Sequence, residues 1–363
     1  MAPSAVVVSY RLGGDDGVAV EARKWTGALQ QLGFATRRVA GQIEDEHEPD
    51  DVEIPGLAID ATAALDEAAL RDALVGADLV IVENLCSLPL NLPAARATAR
   101  ALESFGGRVC FHHHDLPWQR RHLAHLEDEF PPRIEGALHL TVNLRSRREL
   151  EARGYASAST VHNRFDLDAP IGNRDATRAA FGFEPHDLVL FQPARAIERK
   201  NLPGGIRFAM RLRELMPEQM VKYWLSGPAE DGYQPTLDRL LERAEFPITL
   251  GRAGTAANAY AASDVIVYPS TWEGFGNPTI ESIAARRPCA AFPYPVLSEI
   301  LSTGVRLFST DAPEALVRFL RDTDAARERY YDVNLHRARL SFSLDDLASE
   351  LEQAFHAHGW LSW

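Results

Sequence analysis

The stretch VIVYPSTWEGFGNPTIE, residues 265–281, decides how this chain folds. A run of β-branched and aromatic residues ends at Ser270, a glycine-rich turn follows, and Asn277 with Pro278 opens a helix. Asn can cap a helix, and Pro suits a first turn because its missing N–H has no partner there. The spacing puts Glu273 on the loop and Glu281 one turn into the helix. The amides of Gly274, Phe275 and Gly276, with the positive helix end, form an anion site. Carboxylates beside it suit hydroxyl recognition, since they accept hydrogen bonds from sugar or ribose.

Outward from this point, short apolar runs alternate with helical patterns along the whole chain, which is the βαβ signature of parallel sheets. The first half offers AVVVSY (5–10), a helix over 16–32 stopped by Gly33, LVIVENL (79–85), VCFHHH (109–114), HLTVNL (139–144) and STVHN (159–163). The second half starts afresh with LVLFQPA (188–194) and continues through YWLSG, ITL, VIVYPS, CAAF and VRLF. Between them the polar segment 166–186 carries Pro170, Gly172, Gly182 and Pro185, with a short helix near 175–181. The expected fold is α/β: two Rossmann-like α/β/α domains facing a central cleft, with ligands at the carboxyl ends of the strands. The expected divisions are 1–165, a linker 166–186, 187–342, and a C-terminal helix 343–363. That helix ends in Trp360 and Trp363, and it is expected to pack back on the N-terminal domain, because exposed tryptophans are costly.

The chain has 363 residues and a formal net charge of −13. So negative a surface repels phosphate backbones and anionic headgroups, which disfavours nucleic-acid binding and tight membrane docking. The three cysteines, Cys86, Cys110 and Cys289, lack metal-ligand spacing and read as small core residues. The first residues carry no basic segment before their short apolar run, and no stretch approaches a membrane span. These features fit a cytoplasmic protein without stable membrane insertion.

Three further segments carry chemistry. In QPARAIERKNLP (192–203), Arg195 ends a strand and Lys200 precedes a helix with Asn201 as its cap. Two cations flanking one loop can neutralise a diphosphate leaving group. In RLGGDDG (11–17), Gly13 and Gly14 let the backbone approach a phosphate, and Asp16 can cap the next helix. In FHHHD (111–115) a metal site is one reading, but neighbouring strand residues point to opposite faces, so consecutive histidines converge poorly on one ion.

The E-x7-E pattern from Glu273 to Glu281 resembles that of the large retaining GT-B glycosyltransferase group (family 4). That group includes sucrose and glycogen synthases of bacterial type and many mannosyl- and glucosyltransferases. The resemblance implies that Glu273 holds the donor sugar's hydroxyls and Glu281 the ribose, while Phe275, Gly276 and Asn277 present amides to sugar and diphosphate. Arg195 and Lys200 resemble the group's R-x4-K pair, which stabilises the departing nucleotide diphosphate. Gly13 and Gly14 resemble its donor-phosphate loop, although two aspartates follow here. His114 aligns with a His-Asp pair whose His reaches toward the donor sugar, with His113 the alternative if the register slips. Gly227 and Arg252 resemble places that contact base and ribose, and Glu299 matches an acidic position after the donor helix. VHNRFDLD (161–168) resembles an N-G-x-D segment, with Arg164 in place of the usual glycine.

The implied catalytic set is His114, Arg195, Lys200 and Glu273, with no metal and no cofactor beyond the nucleotide-sugar co-substrate. The expected donor is of GDP-mannose or UDP-glucose type. The expected acceptor is small and polar or anionic, because VENLCSLPLN and HHHDLPWQR resemble transferases making small glycosides of glycerate type. Its candidate contacts are Arg11, Asn84, Trp118 and Arg121. The rival readings are a GT-B-related nucleotide-sugar epimerase or phosphorylase, a non-catalytic sugar-nucleotide-binding protein, and metal-dependent hydrolysis at the histidines.

Overall fold

A computed structural model describes residues 2–360 and divides the chain into two compact units, 1–164 with 344–363, and 165–343. The described part of the first unit holds β1 (Ser4–Leu12), β2 (Ala35–Ile43), β3 (Val52–Glu53), β4 (Leu79–Glu83), β5 (Arg108–His113), β6 (Leu138–Thr141) and β7 (Ala158–Thr160). They form one parallel sheet in the order β3-β2-β1-β4-β5-β6-β7. The second unit holds β8 (Leu188–Gln192), β9 (Val221–Leu225), β10 (Ile248–Leu250), β11 (Val265–Tyr268), β12 (Cys289–Ala291) and β13 (Phe308–Ser309). Its sheet is also parallel, ordered β10-β9-β8-β11-β12-β13.

Parallel strands are covered on both faces, which is why their sequences are continuous apolar runs and not alternating ones. Leu79, Val80, Ile81 and Val82 of β4 are all fully buried, and so are Val265, Ile266 and Val267 of β11. In each sheet the strand order reverses beside the first strand, at β1/β4 and at β8/β11. The loops leaving the carboxyl ends of those strands therefore border the crevice where open α/β sheets bind ligands.

Local signals set the helix ends. Asp16 caps the helix Gly17–Gln31 by accepting from the amides of Val18 and Ala19. That helix buries Trp25 and Leu29 in the same core as Leu347, Leu351 and Phe355 of the helix Leu347–Ala357, so the chain's last segment belongs to the first unit. Arg164, standing where a glycine was expected, forms a bidentate pair with Glu350 and so ties this segment down. Trp360 is buried and packs on Phe355, whereas Trp363 lies outside the described residues.

The polar segment 166–186 is not a free linker; it is built into the second unit. Arg174 and Arg178, from the helix Arg174–Phe181, both bond Asp264. Gly172 packs so closely that a Cβ there would lie 2.3 Å from the backbone of Ala257. Its proline and glycine content read as a linker because composition does not show that its arginines share one carboxylate. All three cysteines are buried and free. Among the described residues no helix is long and apolar enough to cross a membrane.

Candidate functional site

In the second unit, the loops leaving β8 and β11 lie side by side because those strands are neighbours. Main-chain contacts tie them together: the amide of Thr271 donates to Arg199 O at 2.9 Å, and Asn201 Nδ2 donates to Pro269 O at 3.0 Å. This brings Lys200 Nζ to 2.6 Å from Glu273 Oε1 and Arg199 Nη1 to 2.8 Å from Glu273 Oε2. Glu273 is 7% exposed. Burial alone lifts a carboxyl pKa, but Lys200 and Arg199 outweigh it and hold Glu273 at about 2. Burial depresses Lys200, opposed by the same carboxylate. Arg199 was not singled out in the sequence; the signal was a third cation in RAIERK, one residue before Lys200.

Arg195, at the start of the same loop, lies with Nη1 2.5 Å from Glu230 Oε2. Gly227 faces its backbone: a Cβ there would lie 2.6 Å from Arg195 Cα, so this glycine is required by packing alone. Asn277 does not cap the helix Asn277–Ala284 as expected. Gly276 takes the cap position with φ +110°, and Tyr294 OH fills the space of any Cβ there, 2.0 Å away. Phe275 is buried against Phe165 and Phe342, and its carbonyl accepts from Tyr294 OH at 2.9 Å. Glu281 accepts a 2.5 Å bond from Tyr260 OH. Burial and the Glu281 carboxylate push that phenol pKa up, so it stays a donor. Arg252 is exposed just after β10, and Glu299 lies in the helix Leu297–Ser302.

In the first unit, the expected residues gather at the carboxyl ends of β1, β4 and β5. The strand alternation sends His112 and His114 one way and His113 the other. Glu83 accepts from His112 Nδ1 at 2.8 Å and from His114 Nε2 at 3.0 Å, and His112 stacks on Trp25 at 3.8 Å. Histidines two apart on one strand do converge, which the argument from adjacent residues overlooked. The ligating atoms of Glu83, His112 and His114 lie within 4.8 Å of one another, close enough for a cation, and here the carboxylate bonds both imidazoles. Burial raises the Glu83 pKa, but His112 and His114 bring it to about 2. Burial lowers His114, and the Glu83 carboxylate more than reverses this, raising it. His113 instead joins Ser87 Oγ (2.6 Å) and His139 Nδ1 (3.0 Å) in the interior, and burial holds it well below the usual imidazole range.

Asn84 adopts a left-handed backbone, φ +57°, and its Oδ1 accepts from the amides of His114 and Asp115. Its side chain is thus committed to shaping the His-Asp turn. Gly13, at φ +78°, and Gly14 sit under an acidic segment: added Cβ atoms would meet Asp45 Oδ1 at 2.2 Å and Glu44 Oε2 at 2.4 Å. Gly13 is needed there, since its φ is positive and a Cβ would also meet the Asp45 backbone, and the carboxylates bordering the turn are poor neighbours for a phosphate. Arg11 bonds Asp16 at 2.9 Å. Trp118 donates to Glu149 at 2.9 Å, with Arg153 over its ring at 3.9 Å. Arg121 is exposed. A cavity of about 720 Å³ lined by Val75, Asp78, Phe105 and Arg108 lies at the amino ends of β4 and β5, the wrong end of the sheet for this chemistry.

Residues 194–323, which include Arg195, Lys200, Glu273 and Glu281, match the family described as glycosyl transferases group 1. Over 84% of both chains, this chain is 26% identical to a mannosylglucosylglycerate synthase of Thermotoga maritima. It is 23% identical to a mannosylglucosylglycerate synthase of Petrotoga mobilis, over 80% of this chain and 82% of the relative. Its fold is similar to HepE of Anabaena in complex with UDP and glucose, with TM-score 0.71, 15% identity, and 98% and 100% of the two chains covered. It is equally similar to a sucrose-phosphate synthase of Thermosynechococcus elongatus, with TM-score 0.73, 15% identity, and 99% and 100% covered. The chain has the fold of these GT-B glycosyltransferase structures. More narrowly, it carries a glycosyl transferases group 1 domain and has mannosylglucosylglycerate synthases among its relatives.

Proposed function

We propose that the protein is a retaining, metal-independent, family 4-like transferase. It moves a hexose from a nucleotide-diphosphate sugar, of GDP-mannose or UDP-glucose type, to a hydroxyl of a small polar or anionic acceptor. The observation that carries this reading is Glu273, a nearly buried carboxylate fixed between Lys200 and Arg199, with Arg195 on the same loop. A carboxylate kept ionised in this way accepts hydrogen bonds from sugar hydroxyls. The cations around it stabilise charge that develops on a departing diphosphate, a term that is often the largest in such catalysis. In the reaction the donor C1–O bond loosens first, and the diphosphate takes the negative charge. The acceptor hydroxyl then attacks from the same face, and a diphosphate oxygen takes its proton, so configuration is retained. Glu281, oriented by Tyr260, is suited to a ribose diol.

The donor class is supported by the relatives. HepE has been solved with UDP and with UDP-glucose, and two relatives are named for a glycerate glycoside. Arg11, Asn84, Trp118 and Arg121 remain the acceptor candidates. Arg121 is the most available of these, since Arg11, Asn84 and Trp118 have partners within their own unit.

The test is a thermal-shift panel of UDP, GDP, ADP and their sugar conjugates, in EDTA, with Arg195→Ala alongside. One nucleotide is expected to raise the midpoint by mass action, and the variant to lose the shift. Silence from the folded protein across the whole panel would refute the donor site, and a shift that needs added metal would refute metal independence.

A further inference from the structure

Arg195 differs from the other cations of its loop in what holds it. Lys200 and Arg199 meet a buried carboxylate, whereas Arg195 meets Glu230, and both members of that pair are roughly a third open to solvent, at 36% and 40%. The pairing is built into the main chain. After β9, residues 226–230 are zipped onto residues 192–196: the amide of Ser226 donates to Gln192 O, Gly227 to Ala194 O, and Glu230 to Ala196 O. In return the amide of Ala196 donates to Pro228 O. Gly227 allows this closeness, since a Cβ would meet Arg195 Cα and the neighbouring backbone below 3 Å. Glu230 therefore faces Arg195 because of backbone register and does not depend on side-chain chance.

A guanidinium whose charge is already met by a carboxylate attracts a diphosphate less than a free one does. A ligand that uses Arg195 fully must take it from Glu230. An exposed pair can be opened at small cost, unlike a buried one. We propose that Glu230 is a latch on Arg195: it holds the guanidinium in the empty site and yields it to a nucleoside diphosphate. By reclaiming Arg195 it weakens the hold on the product nucleotide and speeds its release. This rests on the donor-site reading above and adds Glu230 as a positioning residue acting through Arg195.

The test uses the full chain as wild type, Glu230→Gln, Arg195→Ala and the double variant, titrated calorimetrically with UDP and with GDP. Nucleotide release is followed separately by stopped-flow displacement. The latch requires Glu230→Gln to bind the preferred nucleotide about two- to fivefold tighter, the range set by an exposed ion pair, and to release it correspondingly more slowly. It also requires that gain to vanish in the Arg195→Ala background. Unchanged or weaker binding by Glu230→Gln overturns the latch alone. A gain that survives without Arg195 also overturns it, because Glu230 would then act by direct repulsion. If wild type binds neither nucleotide nor any sugar conjugate, the donor-site reading falls and takes the latch with it.

Discussion

His114 Nε2 lies 3.0 Å from Glu83 Oε2, and the same oxygen is 2.8 Å from His112 Nδ1. One fully buried carboxylate on β4 therefore orients two imidazoles, His112 on β5 and His114 just after it. Replacing Glu83 with Ala leaves both rings without their acceptor in the interior. The expected loss is about 3 kcal/mol, the usual cost of breaking a buried polar network by removing one partner. Glu83→Gln, which keeps one acceptor and the volume, is expected to lose less. Urea unfolding of both variants checks this, and an Ala variant as stable as wild type contradicts the network.

Acid should unfold the first unit in two stages. Burial holds His139 at about 3 against an ordinary 6.5, and it depresses His113 as well. The unfolded chain therefore binds protons that the folded one refuses, and stability falls as pH drops below 6.5. Glu83, held at about 2 against 4.5, adds a second loss between those values as its carboxylate is protonated. His114 works in the opposite sense. Its raised pKa adds stability at low pH that is lost as pH rises through the folded value. Denaturant midpoints measured from about pH 7 to about pH 3 are expected to fall throughout, and a flat profile contradicts the burial of the His113–His139 pair.

Lys200→Ala should remove one of two cations from Glu273 and, on the proposed mechanism, lower kcat by about a hundredfold or more. Arg199→Ala is expected to act in the same direction but less, because Lys200 remains. Single-turnover rates for the two variants are the check. Equal rates for wild type and Lys200→Ala would separate this loop from the chemistry.

Gly227→Ala should weaken nucleotide binding by displacing the backbone that carries Arg195. The new Cβ would press on Arg195 Cα and on the carbonyl of Ala194, backbone atoms that no side-chain rotation can clear. Titration with the preferred nucleotide, alongside an unfolding curve to show that the variant is folded, makes the comparison. Wild-type affinity would mean that the loop absorbs the methyl group.

Removing residues 344–363 should destabilise the first unit specifically. The helix Leu347–Ala357 buries Leu347, Leu351 and Phe355 with Trp25, and Arg164 would lose Glu350. Hydrogen exchange at β1 and β4 is expected to speed up in the truncated chain while β8 and β11 stay protected; protection lost equally in both units contradicts the assignment.

The sequence by itself determined two parallel α/β sheets, because strands covered on both faces must be apolar throughout and their connections must be helical. It also placed Arg195, Lys200, Glu273 and Glu281 after strand ends at readable spacings, on segments that follow the neighbouring strands β8 and β11. Local capping was legible where one side chain decides it, as with Asp16 and Asn201. Tertiary structure decided which side chains share a partner, because pairings between distant segments leave no local pattern. Arg199 joined Lys200 on Glu273, and Glu230 met Arg195 across two loops. Glu83, 31 residues from His114, chose it over His113. Gly276, and not Asn277, stands at the helix cap, where Tyr294 OH fills the space a Cβ would need.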